Sequence, residues 1–281
     1  MILTSAVIHT WILHNTVRMR KSCNLLCNSF KTVLIKSRTS ARAVERRCFK
    51  GRFMIKTSLD NAIEAVRNEI SIQIADTPGL VREAHRLRYQ VYCLERNYEA
   101  GQAGLEIDEF DSRARHVVIC QRRTGQVVGT ARLVFPSRIA PQDGLPLQRL
   151  CDPAVLPAIP LSRAAEVSRF AICKDRSGLS PAAVSLMRLA LVQGLVHLSD
   201  EAGLTHWFAV MERTLLRLLR SSAIHFQPIG PVVEHHGLRQ PAYTHLGAML
   251  SRMRREQPKV WDFITEGGRL WQGRRPYQLA A

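Results

Sequence analysis

Four short runs of this chain place charges where an ordinary core sequence would not. Residues 165–172 read AEVSRFAI, with Glu166, Ser168 and Arg169 among apolar neighbours. Extended backbone alternates side chains between faces, so Glu166, Ser168 and Phe170 are expected on one face and Arg169 on the other. An unpaired charge inside a sheet costs several kcal/mol, so both charges call for partners. Residues 105–111 (LEIDEFD) hold four carboxylates, Glu106, Asp108, Glu109 and Asp111. The run lacks the central Gly and terminal Glu of a calcium loop, which leaves a solvated acidic loop or a clasp for arginines. Arg132 stands in the apolar run VVGTARLV, where a guanidinium calls for a bidentate carboxylate, as a structural ion pair or to orient a substrate group. Arg88 precedes Tyr92 by four residues and Tyr98 by ten. The chemistry available is acid–base: a carboxylate carried on a strand is a candidate base, with arginines to position groups around it.

The elements that must position these residues follow from periodicity. Thr77-Pro78-Gly79 starts a helix expected to run to Tyr98, with an apolar stripe of Val81, Ala84, Leu87, Val91 and Leu94 flanked by Arg88 and Tyr92. A short helix over 59–68 and a strand over Ile70–Ile74 precede it. Residues 116–121 and 127–135 read as a hairpin closed by Arg123-Thr124-Gly125. A proline-rich loop, Pro136 to Pro160, with one helical turn at Leu145–Leu150, separates that hairpin from the AEVSRFAI strand. Ser180-Pro181 caps a helix to Asp200 that is apolar nearly all round and therefore buried. A strand over Thr205–Met211 and a short helix over Thr214–Ser221 follow. Weaker signals place strands near Ile224–Phe226 and Val232–Val233, and helices near Leu246–Arg255 and Pro258–Thr265. Interleaved strands and helices argue for a mixed sheet covered by helices on both faces.

Composition bounds the function. The 281 residues carry a net charge of +17, and residues 1–53 hold eleven basic residues against the single acid Glu45. The segment 1–53 reads as a basic, disordered extension, upstream of a start at Met54; a transit-like sequence or a membrane-surface tail are its other readings. Residues 54–281 form the expected domain, moderately basic and suited to an acidic partner. A nucleic-acid-binding protein is the rival class, but aromatic residues make up only 6% and no helix-turn-helix or RNA-binding signature occurs. Seven cysteines include no CxxC pair, so a zinc site is not expected and the thiols suit a reducing cytoplasm. No apolar stretch is expected to reach the roughly 18 residues of a membrane span. His225, His235, His236 and His245 lack metal-ligand spacing and read as structural or surface residues.

In chain order the motifs are Arg-x3-aromatic-x5-aromatic, Glu-x-Asp-x-x-Asp, Gly-x-x-Arg-Leu and Glu-x-Ser-Arg-Phe. Together, from Thr77 to Phe170, they resemble the acyl-homoserine-lactone synthases and their relatives, the N-acyl amino acid synthases and the acyltransferases associated with exosortase systems. The resemblance implies an α/β (α+β mixed) GNAT-type fold, a three-layer αβα sandwich around a central mixed, splayed sheet. It implies catalytic roles for Glu166, Arg169, Arg132, Asp108 and Asp111, and substrate binding by Arg88, Tyr92, Tyr98, Glu106 and Phe170. The lactone synthases usually carry Phe and Trp at the positions of Tyr92 and Tyr98, and a basic residue where Glu95 stands, so the N-acyl amino acid or exosortase-associated branch fits better.

The implied reaction moves a long-chain acyl group from a thioester to the amine of an amino acid or related small molecule. Glu166 is the expected base, backbone N–H groups near Phe170–Cys173 the oxyanion donors, and the thiolate needs little help to leave. A lactone synthase using S-adenosylmethionine is the runner-up. The loop CKDRSGLSP keeps Arg176 and Gly178 but not the usual pyrophosphate-loop spacing, and the helix starting at Ser180 is expected to take a phosphate. This favours acyl carrier protein over CoA as donor, docked on the basic face of Arg213, Arg217 and Arg220. No permanently bound cofactor, no metal and no nucleic acid are expected. The location expected is the cytoplasm, with peripheral contact at the inner membrane through the product or the basic N-terminus.

Overall fold

Two neighbouring residues on one strand reveal the layering. Strand β2 (Ala114–Gln121) carries His116 and Val117, which extended backbone sends to opposite faces. The His116 imidazole meets Arg88, the last residue of helix α2 (Pro78–Arg88), while Val117 lies against Gly194 of helix α3 (Pro181–Glu201). The sheet is therefore sandwiched between helices. The computed structural model describes residues 59–98, 101–137, 144–152 and 159–272, all within the unit Ser58–Ala281. The expected 1–53 extension lies outside the described residues.

Helix α1 (59–69) runs into β1 (Ile70–Ala75), which pairs antiparallel with β2. β2 and β3 (Val127–Val134) form the expected hairpin, and β3 pairs antiparallel with β4 (Ala164–Ile172). Every residue of β3 is buried, as expected for a strand covered on both faces. β4 pairs in parallel with β5 (His206–Glu212), but only from Ala164/His206 to Glu166/Phe208. Beyond that pair the two strands part, and the sheet splays. Helix α4 (Arg213–Arg220) follows β5, and β6 (Gln227–Pro228), β7 (Val233–Glu234) and β8 (Leu238–His245) complete an order of β1-β2-β3-β4-β5-β8-β6, with β7 on β8. Helices α5 (Leu246–Glu256) and α6 (Pro258–Thr265) end the described chain.

Several sequence expectations are corrected here. The helix from Thr77 is α-helical only to Arg88, then widens to a π-helix over Tyr89–Glu95, a form found at functional sites. Ile224–Phe226 is not a strand; Ile224 and Phe226 are buried against the core instead. β8 was not expected, because Pro241 argues against a strand position. It pairs with β5 throughout, Pro241 opposite Val210. Finally, α3 does have the length and apolarity of a membrane span. It is the core helix: fourteen of its residues are buried, and Gly194 lets it approach β2 so closely that a Cβ there would stand 2.3 Å from Val117.

Candidate active site

The acidic run is a clasp for arginines. Asp108 and Asp111 are three apart around a 3-10 turn (Glu109–Arg113), so both carboxylates project to the same side. The turn is held by its own side chains: Asp108 Oδ1 accepts from Phe110 N at 3.0 Å, and Asp111 Oδ2 from Asp108 N at 2.9 Å. Arg88 donates through Nη1 and Nη2 to both oxygens of Asp111 (2.6 and 2.9 Å) and through Nε to Glu106 (2.5 Å). Arg132 grips Asp108 bidentately, both contacts at 2.7 Å, and reaches Asp111 Oδ1 at 2.6 Å and Ser168 Oγ at 2.9 Å. Arg169 spans Glu106 and Asp108, with Nη2 at 2.9 and 3.0 Å from their oxygens. Three guanidiniums and three carboxylates thus form one neutral network, with Arg88 and Arg132 fully buried.

Burial by itself would raise the pKa of Asp111, but hydrogen bonds from His116 and Arg88, with His85 Nε2 3.7 Å away, outweigh it and hold the carboxyl far below the usual range. Glu106 and Asp108 are likewise lowered, burial opposing and arginines prevailing. Burial lowers the pKa of His116, so its ring is neutral at pH 7. His85, Asp111 and His116 form a candidate metal triad by distance. Their donors do not suit a cation: Arg88 Nη1 lies 3.2 Å from His116 Nε2 and bonds Asp111, so a guanidinium already occupies that place.

Arg169 shares the site only because β4 is not regular. The β3–β4 register shifts between Thr130/Ala171 and Arg132/Ser168, so an extra residue bulges from β4. Arg169 sits in that bulge with φ of 49°, a left-handed conformation costing roughly 1–2 kcal/mol for a non-glycine residue. The alternation expected from the sequence fails there. Arg169 turns to the same side as Glu166 and Ser168, toward Glu106, with its guanidinium 5.7 Å over the Tyr92 ring.

Glu166 stands apart from the network. It is 2% exposed, makes no ion pair among the described residues, and accepts one backbone hydrogen bond, from Leu147 N at 2.7 Å. Burial pushes its pKa up to about 7, against the opposing pull of Leu147 N–H and the Arg132 and Arg169 charges. The arginines cannot ionise it fully, because Glu106, Asp108 and Asp111 already claim their donors.

A cavity of about 370 Å³ opens where β4 and β5 part, within the range of small-molecule sites. At one end it is polar, lined by Asp108, Arg132, Glu166, Ser168, Arg169 and Tyr98. At the other it is apolar, walled by Val192, Leu195, Met211, Leu219, Ile224 and Phe226. Glu166 therefore borders a space that is charged on one side and greasy on the other. Residues 87–183 match the family model described as an acetyltransferase (GNAT) domain.

The fold is GNAT-like. The AHL synthase LasI superposes with a TM-score of 0.50 at 21% identity, over 62% of this chain and 88% of that one. TofI, in a ternary complex with an inhibitor and MTA, superposes at 0.51 with 16% identity, over 69% and 96%. FeeM, an N-acyl amino acid synthase from uncultured soil microbes, gives 0.46 at 16%, over 67% and 97%. No curated protein matches the sequence.

Within this GNAT-like fold the remaining expected site residues are dispersed. Tyr92, Tyr98 and Phe170 line the cavity, whereas Glu106 and Arg88 lie behind it. Arg176, Gly178 and Ser180 contribute nothing to its wall, and the Ser180 N–H is taken by Glu69 Oε2 at 2.7 Å. Arg213, Arg217 and Arg220 are exposed on α4, which turns Leu215 and Leu219 toward the cavity. The sequence reading missed His235, His236 and Arg239, all at the cavity mouth. His236 stacks on Tyr98 at 5.3 Å, and Arg239 holds the β7–β8 turn by donating to the His235 and His236 carbonyls, both at 3.0 Å. Their spacing carried no signal, since the contact spans 138 residues.

Proposed function

We propose that this chain is an N-acyltransferase that moves a fatty acyl group from a thioester to the amine of an amino acid or related small amine. The observation that carries this reading is Glu166, a buried carboxyl with a pKa near neutrality, lining a cavity that has a charged end and an apolar end. The apolar end suits the acyl chain, and the polar end suits the amine. Glu166, ionised, takes a proton from the acceptor ammonium. The free amine attacks the thioester carbonyl, the C–N bond forms, the C–S bond breaks, and the thiolate leaves. The nitrogen's second proton passes to the leaving thiolate as the amide forms, and the proton held by Glu166 goes to water, which restores the carboxylate. β4 lacks ladder partners on the β5 side after Glu166, so its backbone there is available to the oxyanion. Arg132 and Arg169 line the polar end, and their carboxylate partners keep them rigid.

Acyl carrier protein is the donor this reading favours, docked on the basic face of α4. The second reading, a lactone synthase, draws support from the fold shared with the AHL synthase LasI. One experiment separates them: the purified chain is incubated with an acyl carrier protein thioester and either amino acids or S-adenosylmethionine, and products are identified by mass spectrometry. An N-acyl amino acid lost with Glu166→Gln supports the first reading; an acyl lactone with methylthioadenosine supports the second, and neither product overturns both.

A further inference from the structure

The hydrogen bond on Glu166 comes from outside the sheet. Its ladder neighbours, Val134 on β3 and Phe208 on β5, are buried and apolar and have no side-chain donor. The donor is Leu147 N, on the 3-10 turn Pro146–Arg149 in the proline-rich connection between β3 and β4. Two anchors fix that turn. Leu145 and Leu147 are buried in a small apolar cluster with Val134 and Phe208. Gln148 folds back, its Oε1 accepting the Leu145 N–H at 2.8 Å, while Gln148 N donates to Leu145 O at 3.0 Å. A Gln at the third position of a turn satisfies the amide of the residue before it in this way. Pro146 has no N–H, so Leu147 N is the donor that the turn leaves over, and Glu166 takes it at 2.7 Å.

We propose that Gln148 is a positioning residue: by bracing this turn it keeps Leu147 N–H on the Glu166 carboxylate and so favours the ionised, base form. A donor aimed at a carboxylate stabilises the anion, here against burial. Arg132 on β3, Arg169 on β4, Asp108 in the acidic clasp and Cys151 after the turn also face Glu166. Arg149, on the turn itself, is paired with Glu109. Arg132 and Arg169 are engaged by Glu106, Asp108 and Asp111, whereas Leu147 N–H serves Glu166 alone among the described residues. The inference rests on the reading of Glu166 as the base and adds the residue that sets its readiness.

The test compares the full chain with Gln148→Met, which keeps the length of the side chain and removes its acceptor oxygen. With decanoyl-phosphopantetheine and an amino acid as substrates, the limb of kcat/KM against pH is expected to move upward by about one pH unit, the scale of a weakened hydrogen bond to a charged group. The loss is then about tenfold below the limb and closes above it, whereas a general loss of structure would lower the rate at every pH alike. A second readout needs no turnover. In proton–nitrogen correlation spectra the Leu147 amide is expected to shift as Glu166 ionises, and Glu166→Gln identifies that transition by abolishing it. In Gln148→Met its midpoint is expected about one pH unit higher than in the parent. Gln148→Ser, a more polar replacement, is expected to move both midpoints in the same direction and guards against a folding defect peculiar to one variant. An unchanged limb or an unchanged amide midpoint in both variants overturns the proposal. If no amine is acylated by the parent, the acyl-transfer reading falls, and the amide titration still decides the role of Gln148.

Discussion

Glu166 and Asp111 lie in one site yet titrate in opposite directions, and the difference is who their neighbours are. Asp111 is held ionised by Arg88, Arg132 and His116; Glu166 is buried with a single backbone donor among the described residues. As the proposed base Glu166 must be ionised, so kcat/KM is expected to rise with pH along a limb with an apparent pKa of about 7. Glu166→Gln is expected to lower kcat by about 10²–10⁴ and remove that limb, as read from a pH–rate profile. The stability effect has the opposite sense. Its folded pKa lies above the unfolded value of 4.5, so its contribution is complete below about pH 4.5 and is lost as pH rises through about 7. The Gln variant should therefore gain up to roughly 3 kcal/mol over the parent at pH 9 and little at pH 5, measured by urea unfolding. Asp111→Asn should do the reverse and destabilise by about 3–5 kcal/mol at pH 7, since it leaves buried guanidiniums without their shared partner. The parent's Asp111 contribution, from a lowered pKa, is present above about pH 4 and disappears as acid protonates the folded carboxyl, so parent and variant melting curves should converge on strong acidification.

At the scale of elements, irregularities make the site. The π-turn after Arg88 brings Tyr92 and Tyr98 to the cavity, and the β4 bulge swings Arg169 onto the Glu166 side. The early parting of β4 from β5 opens the cavity between them. These depend on a close-packed platform below. Gly194 sits where a Cβ would meet Val117 at 2.3 Å and Ile72 at 3.1 Å, both on core strands. Gly194→Ala is expected to cost about 1–3 kcal/mol despite its better helix propensity, because overpacking outweighs the gain; chemical denaturation with unchanged m-value would show it. A stabilised variant would mean that α3 can move away from β2 at little cost.

For the whole molecule the question that the proposed acyl transfer raises is how a donor would reach the cavity. α4 joins the two surfaces involved, with Leu215 and Leu219 in the cavity wall and Arg213, Arg217 and Arg220 on the outside. An acidic carrier docked on that face would be steered by charge and delivered beside the acyl end. Reversing the three arginines to Glu is expected to raise KM for an acyl carrier protein thioester about tenfold or more, chiefly at low salt, with kcat for a free phosphopantetheine thioester unchanged. Equal KM values at low salt would place the docking surface elsewhere.

Local signals in the sequence determined most of the framework. Capping at Ser180, the Arg123-Thr124-Gly125 turn and the apolar stripe from Val81 are short-range, so α3, the β2–β3 hairpin and α2 were legible from the residues themselves. The pairing of the acidic run with Arg88, Arg132 and Arg169 was also foreseeable, because buried charges of opposite sign must find each other. Tertiary structure alone decided where alternation fails. A bulge is set by the partner strand's register, so Arg169 could not be placed on the Glu166 side by counting residues. β8 was hidden by Pro241, and the meeting of His236 with Tyr98, like that of Glu69 with Ser180, joins positions more than a hundred residues apart. The sequence thus determined the carboxylates and the three arginines of the network, whereas three-dimensional packing added Arg239 at the cavity and decided which carboxyl, Glu166, is left near neutrality.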